Sequence, residues 1–365
     1  MKQEDLDRLI YRPVCSTNEI ERILDIKTAD DYLLKFRADI IVDNMRLMRV
    51  VMNARRAHPN NWSLNKYFSN NNFENVIKKL PSNLRDKCNQ ITFGNIFSTD
   101  PNGILLKSEF GPISTLCNSL YYFLKFMHLG LLDLDDKVPF DIRMNAFRIA
   151  IRVMLKTEAL DFTMDPRGII PKSILDKIEE PIPYQLEFIA GHELGHFILD
   201  HLSSTKSSKK SVLRSVNKDE PDYKLSKVYN ISQKHEFEAD LASLNLPEFS
   251  YDEQKIRTSA ALIWFACLDI FEAVRDTIYP PMGYQTHPPA RDRYLNIIEN
   301  SSLYKEFDTN YWKEQLIEMI DFFRNKFIEE VTLNIDSYEM YGSAYLAAPN
   351  TLWRGPELID REDYY

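Results

Sequence analysis

The chain has 365 residues, 44% of them hydrophobic and 27% charged, enough apolar material to bury a substantial core. Its net charge of −9 excludes nonspecific nucleic-acid binding, because phosphate contacts need a basic surface. Four cysteines, Cys15, Cys88, Cys117 and Cys267, lack C-x-x-C spacing, which excludes a cysteine metal knuckle and suits a reducing compartment.

The segment from Met1 to Asp7 is acidic where a secretory signal is basic and then apolar, so no export is expected and the expected location is cytoplasmic. Residues 1–145 read as a mainly helical region without repeats. Ala29 to Arg56 carries Leu33, Phe36, Ile40, Ile41, Met45, Met48 and Val51 at helical spacing, and Pro59-Asn60-Asn61 ends that run. Shorter helical stretches follow, separated by Ser69-Asn70-Asn71-Asn72, and residues 110–130 predict another apolar helix. The run from Leu116 to Leu132 is interrupted by Asn118, Lys125 and His128, and Ser259 to Phe271 is short and broken by Asp269. Neither is a membrane span, which needs about 20 nearly uncharged residues.

From Asn145 to Pro171 the pattern changes. Ile149, Ile151, Val153 and Leu155 alternate, as do Leu160, Phe162 and Met164 before the turn Asp165-Pro166-Arg167-Gly168, which predicts two or three strands. These lead into Gly191-His192-Glu193-Leu194-Gly195-His196. On a helix, residues four apart share a face, so His192 and His196 can offer two imidazole nitrogens to one metal ion with Glu193 beside them. The flanks, Leu186, Phe188, Ile189, Ala190, Phe197 and Ile198, are apolar, and burying unpaired polar residues among them would cost several kcal/mol. A catalytic zinc keeps three protein ligands and an open position, so a third donor is needed. The metzincin arrangement is excluded, because Leu199 and Leu202 stand where it needs Gly and His. Downstream, Glu236 and Asp240 are four apart and share a helix face, with Phe237, Leu241 and Leu244 on the packed side. One carboxylate can bind the metal and the other can orient a ligand histidine. Between the two helices, Ser203 to Asp219 is rich in Ser and Lys and predicts a solvated loop near the cleft. His201 and His235 read as ordinary polar residues. Ser259 to Asp276 predicts an apolar helix broken by Pro280-Pro281, a further helix starts at about Ala290, and another spans Trp312 to Val331. The tail from Arg354 to Tyr365 is acidic and expected to be poorly ordered.

With three motifs in this order, the chain resembles the gluzincin metallopeptidases of the CAAX-prenyl-protease and HtpX-like type. The motifs are His192-Glu193-Leu194-Gly195-His196, Glu236-Phe237-Glu238-Ala239-Asp240, and Thr286-His287-Pro288-Pro289 with Arg293. A weaker resemblance is to the bacterial phage-exclusion proteases of the Lit type. The likeness covers roughly residues 180–300. It implies one Zn2+ per chain on His192, His196 and Glu236, with Glu193 as general base. It also implies Asp240 behind a ligand, His287 as a stabiliser of the tetrahedral intermediate, and Arg293 near the metal. An upstream strand edge would hold an extended substrate by main-chain hydrogen bonds.

The expected fold is therefore α+β and predominantly α-helical. It has a zincin-like metallopeptidase core at residues 146–335, a small sheet next to the metal helix, a helical N-terminal extension at 1–145 and a tail at 336–365. The expected function is hydrolysis of a protein or peptide substrate by a soluble zinc endopeptidase. The alternative is a regulatory or sensing protein with gated proteolysis, for example in phage defence, with a regulatory partner on the N-terminal region.

Overall fold

The computed structural model describes residues 3–98, 102–132, 138–201, 233–280, 287–301 and 311–347. The expected loop from Ser203 to Asp219 and the acidic tail from Arg354 to Tyr365 lie outside these residues. The described chain is mostly helical with a three-stranded sheet. Helices α1 (Gln3–Tyr11), α2 (Thr17–Leu24), α3 (Ala29–Val42), α4 (Met45–Ala57), α5 (Leu64–Tyr67), α6 (Asn71–Lys79) and α7 (Ser82–Cys88) come first. Strands β1 (Thr92–Ile96), β2 (Gly103–Ser108) and β3 (Gly111–Cys117) follow. Then come α8 (Ser119–Leu131), α9 (Phe140–Leu155), α10 (Lys172–Glu179), α11 (Ile182–Ile198), α12 (Gln233–Asn245), α13 (Tyr251–Ile278), α14 (Ala290–Asn300), α15 (Leu316–Leu333) and α16 (Asp336–Glu339). None of the described helices is long and apolar enough to cross a membrane.

The apolar run from Ala29 to Arg56 is two helices. Asn44 leaves helical geometry, with φ −124°, and its side chain accepts hydrogen bonds from the Arg46 and Leu47 amides, so it caps a new helix in mid-run. At the start of α3, Thr28 and Asp31 bond each other's backbone amides reciprocally.

The predicted strands between Asn145 and Pro171 are not found. Residues 140–155 form α9, and Ile149, Ile151 and Val153 are all buried because α9 packs against α8, α13 and α16. A helix covered on several sides loses its amphipathic stripe, and alternating apolar residues then imitate a strand. Beyond α9 the chain makes one isolated bridge, Glu158 to Gly342, and wraps a buried ionic cluster. In that cluster Arg167 reaches Glu158 at 2.8 Å, Asp161 at 2.9 Å and Asp165 at 2.7 Å.

The sheet instead lies at residues 92–117, inside the region expected to be helical. Its order is β1-β3-β2, with β1 parallel and β2 antiparallel to β3. A tight hairpin closes β2 onto β3 through Ser108 and Gly111. The predicted helix over 110–130 is thus a strand followed by α8. β3 is buried from Ile113 to Cys117, Ser114 and Thr115 included, so it lacks the apolar-polar alternation that marks a half-buried strand. The largest apolar cluster joins Phe73, Leu120 and Phe123 to Phe147, Leu194, Phe265 and Phe327. It surrounds α11, and β2 packs against the same helix.

Candidate metal centre

Apolar residues on both sides of the polar triplet bury α11, with Phe188, Ile189, Ala190 and Leu194 in the main core. Helix α12 crosses α11 at short range. A Cβ on Gly191 would stand 2.4 Å from Ser243 Oγ, so only glycine lets the two backbones approach this closely. Ser243 Oγ then donates to the Phe188 carbonyl at 2.8 Å and fixes the crossing. That crossing carries Glu236 over the face bearing His192 and His196.

The three side chains are buried, and their donor atoms converge. His192 Nε2 lies 3.0 Å from His196 Nε2. Glu236 Oε2 is 3.4 Å from His192 Nε2, and its Oε1 is 3.5 Å from His196 Nε2. Tetrahedral zinc with bonds of ~2.0–2.1 Å holds its ligand atoms about 3.3 Å apart, so the two imidazoles, and each imidazole with the Glu236 oxygen nearest to it, stand near the separation of ligands on one ion. Glu236 Oε2 is also buried without a hydrogen bond of acceptable geometry, although several cationic groups stand near it. Buried His and Glu donors of this kind can hold a metal ion. Glu238, two residues on, points elsewhere with its side chain 41% exposed.

Asp240 stands behind His192. Its Oδ1 lies 2.8 Å from His192 Nδ1, which donates to it because a carboxylate only accepts. The ring therefore turns Nε2 toward Glu236 and His196, as a metal-ligating histidine requires. Arg293, in the first turn of α14, grips the same carboxylate with two hydrogen bonds, Nε to Oδ2 at 2.8 Å and Nη2 to Oδ1 at 2.6 Å. Its Nη1 lies 3.4 Å from Glu236 Oε2, and the guanidinium sits 4.7 Å over the Phe265 ring. His287 reaches the site from just before α14. Its side chain is 55% exposed, yet Nδ1 lies 3.0 Å from Glu236 Oε2. Thr286 falls outside the described residues. Every candidate from the three motifs that can be placed is thus within one constellation, with Asp240 behind His192 and Arg293 on Asp240.

Electrostatics separate the groups. Burial disfavours a charged His192, but Asp240 and Glu236 outweigh it and raise its pKa to about 10. The pocket therefore draws a cation, proton or metal, to His192. Burial holds His196 down at about 4, helped by the positive charge of His192. Glu236 is driven far below the usual carboxylate range because its neighbouring histidines overcome burial. Glu193 goes the other way. Burial, reinforced by the Glu236 charge, lifts its carboxyl to about 7, where a group can both take and give a proton near neutral pH.

Two features escape the sequence. The first is Gly103 at the start of β2, where a Cβ would lie 2.7 Å from Glu193 Oε1, so the edge strand abuts the candidate base. The stretch Gly103-Ile104-Leu105-Leu106-Lys107-Ser108 shows no alternation of apolar and polar residues, so no local pattern marks it as an edge strand. The second is a group behind His196. His201 Nδ1 is 2.9 Å from His196 Nδ1, its Nε2 is 3.1 Å from Glu238 Oε2, and its ring stacks on His235. No periodicity links a residue beyond the end of α11 to the first turn of α12, so only the helix crossing reveals it. Comparison of the chain with family models, with curated proteins and with solved structures finds no match.

Proposed function

We propose that the chain is a zinc-dependent endopeptidase with a zincin-like core, in which His192, His196 and Glu236 hold the metal. The observation that carries this reading is the convergence of the His192 and His196 Nε2 atoms, 3.0 Å apart, with the Glu236 carboxylate, whose Oε2 and Oε1 lie 3.4 and 3.5 Å from them, beside a buried carboxyl raised to about 7. Two imidazoles and a carboxylate suit zinc better than magnesium or calcium, which take oxygen ligands. Bound there, zinc would polarise a scissile carbonyl and lower the pKa of water towards ~7.

The protein's own groups supply the rest. Glu193 takes the proton from the attacking water and passes it to the leaving amine. His287, at the exposed rim, donates a hydrogen bond to the oxygen on which negative charge develops. Asp240 fixes the His192 tautomer, and Arg293 balances Asp240 and Glu236. Strand β2 pairs only with β3 among the described residues, and its Gly103 end lies at Glu193. An extended peptide added along that edge would bring its backbone to the base. β2 would thus supply the upstream strand edge that the resemblance implies.

Gly103→Ala tests the arrangement. The added methyl must push Glu193 aside, and a misplacement of about 1 Å can cost up to ~10² in rate. Turnover is expected to fall about 10-fold with zinc content unchanged. Normal turnover with Ala at this position would separate β2 from the chemistry. For the reading as a whole, purified protein is incubated with a cell lysate, with and without chelator, and new N-termini are identified by mass spectrometry. Cleavages are expected with the wild type only and to vanish with chelator. Equal cleavages with Glu193→Gln would overturn the assignment.

A further inference from the structure

His201, His235 and Glu238 form a second convergent group, offset from the three donors above. One nitrogen from each ring and one Glu238 oxygen lie within 4.8 Å of one another. The two rings stack at 4.0 Å with 8° between their planes, so one of them must turn about its Cβ–Cγ bond for both to aim a nitrogen at one ion. His235 Nδ1 is buried and has no hydrogen-bond partner. His201 Nε2 and Glu238 Oε2 are 3.1 Å apart, close to the roughly 3.3 Å edge of a tetrahedral zinc site. Together with Leu199, Leu241 and Asn245, these residues line an open groove of about 580 Å³, so an ion can enter from solvent.

We propose that His201, His235 and Glu238 constitute a second site for a divalent transition-metal ion, and that filling it opposes metal binding at His196. Two imidazoles with one carboxylate select zinc, nickel or copper over magnesium and calcium. An ion there would give His235 Nδ1 a partner. It would also compete with Lys234, which stands 3.6 Å from the Glu238 carboxylate, and Glu238 is partly exposed, so this site is the weaker of the two.

The opposition follows from counting protons and rests on the function proposed above. A neutral imidazole carries one N–H. With a metal on Nε2, His196 keeps its proton on Nδ1 and donates it to His201 Nδ1, 2.9 Å away. His201 must then hold its own proton on Nε2, facing Glu238. A second ion on His201 Nε2 takes that place and shifts the proton to Nδ1, where two N–H groups would meet head-on. One ring must turn, or one proton must leave to solvent, and either change weakens the hold on His196. By linkage, an ion at the first site weakens the second by the same factor.

The test is metal stoichiometry. Wild-type protein, His235→Ala, Glu238→Gln and the double variant His192→Ala with Glu236→Ala are dialysed against excess free zinc, and zinc per folded chain is measured by elemental analysis. Two equivalents are expected for the wild type and one for each of the others. In a chelator titration, the first site of the wild type loaded at both sites should hold zinc about 10-fold more weakly than that of His235→Ala, since that variant lacks the second ion. Equal zinc content in wild type, His235→Ala and Glu238→Gln would overturn the second site. Loss in His235→Ala without loss in Glu238→Gln would overturn the three-ligand site in favour of adventitious histidine binding. If only the first-site assignment fails, the double variant keeps the wild-type zinc content while His235→Ala still loses one equivalent.

Discussion

Replacing Glu193 by Gln is expected to lower peptide hydrolysis by at least ~10² while leaving the metal bound. The amide keeps the shape of the carboxylate and most of its hydrogen bonding, but it cannot accept the proton that an attacking water must lose. None of the donor atoms of His192, His196 and Glu236 belongs to Glu193, so the metal should be retained. Burial lifts this carboxyl to about 7, which marks a group whose environment favours proton exchange over fixed charge. Steady-state cleavage and zinc content measured on the same preparation check both halves. Turnover near wild type would mean that the base lies elsewhere.

The other large effect is expected from Arg293→Ala. Asp240 is fully buried and Glu236 nearly so, and Arg293 lies against both. Removing one partner of a buried ion pair typically costs ~3–5 kcal/mol, because it strands uncompensated charge. Here two carboxylates lose a neighbour, and the bidentate grip that positions Asp240 behind His192 goes with it. Urea unfolding should show a loss of that size, with faster release of zinc to a chelator. Arg293→Lys should recover only part of it, because an ammonium cannot reproduce the two parallel hydrogen bonds. Unchanged stability and zinc release in Arg293→Ala would exclude this bracing role.

The centre was more legible in the sequence than the frame around it, for a physical reason. His192, His196, Glu236 and Asp240 act in pairs four residues apart, and helix geometry alone puts such pairs on one face. Helix positions two apart point in widely different directions, so only one of Glu236 and Glu238 can face the metal, and the motif register of the resemblance with the i,i+4 relation to Asp240 chose Glu236. The sheet was hidden by burial. β3 is buried from Ile113 onward and α9 is covered on several sides, so the strand lost its alternation and the helix gained a false one. The division of α3 from α4 depended on one capping residue, Asn44, inside an otherwise helical pattern. His201 was invisible for a different cause. Its partners His196, His235 and Glu238 come from two helices brought together by the close approach at Gly191, which no local pattern encodes.

The central claim, a zinc ion on two histidines and one glutamate, is tested most directly by zinc K-edge X-ray absorption on protein loaded with one equivalent of zinc. The expected spectrum has a shell of nitrogen and oxygen at ~2.0–2.2 Å, multiple scattering from two imidazoles, and no sulfur at ~2.3 Å. The imidazole signature should fall in His196→Ala, and the oxygen contribution should fall in Glu236→Ala but persist in Glu238→Ala. A sulfur shell, or a wild-type spectrum retained by the variant carrying both His192→Ala and His196→Ala, would contradict the account.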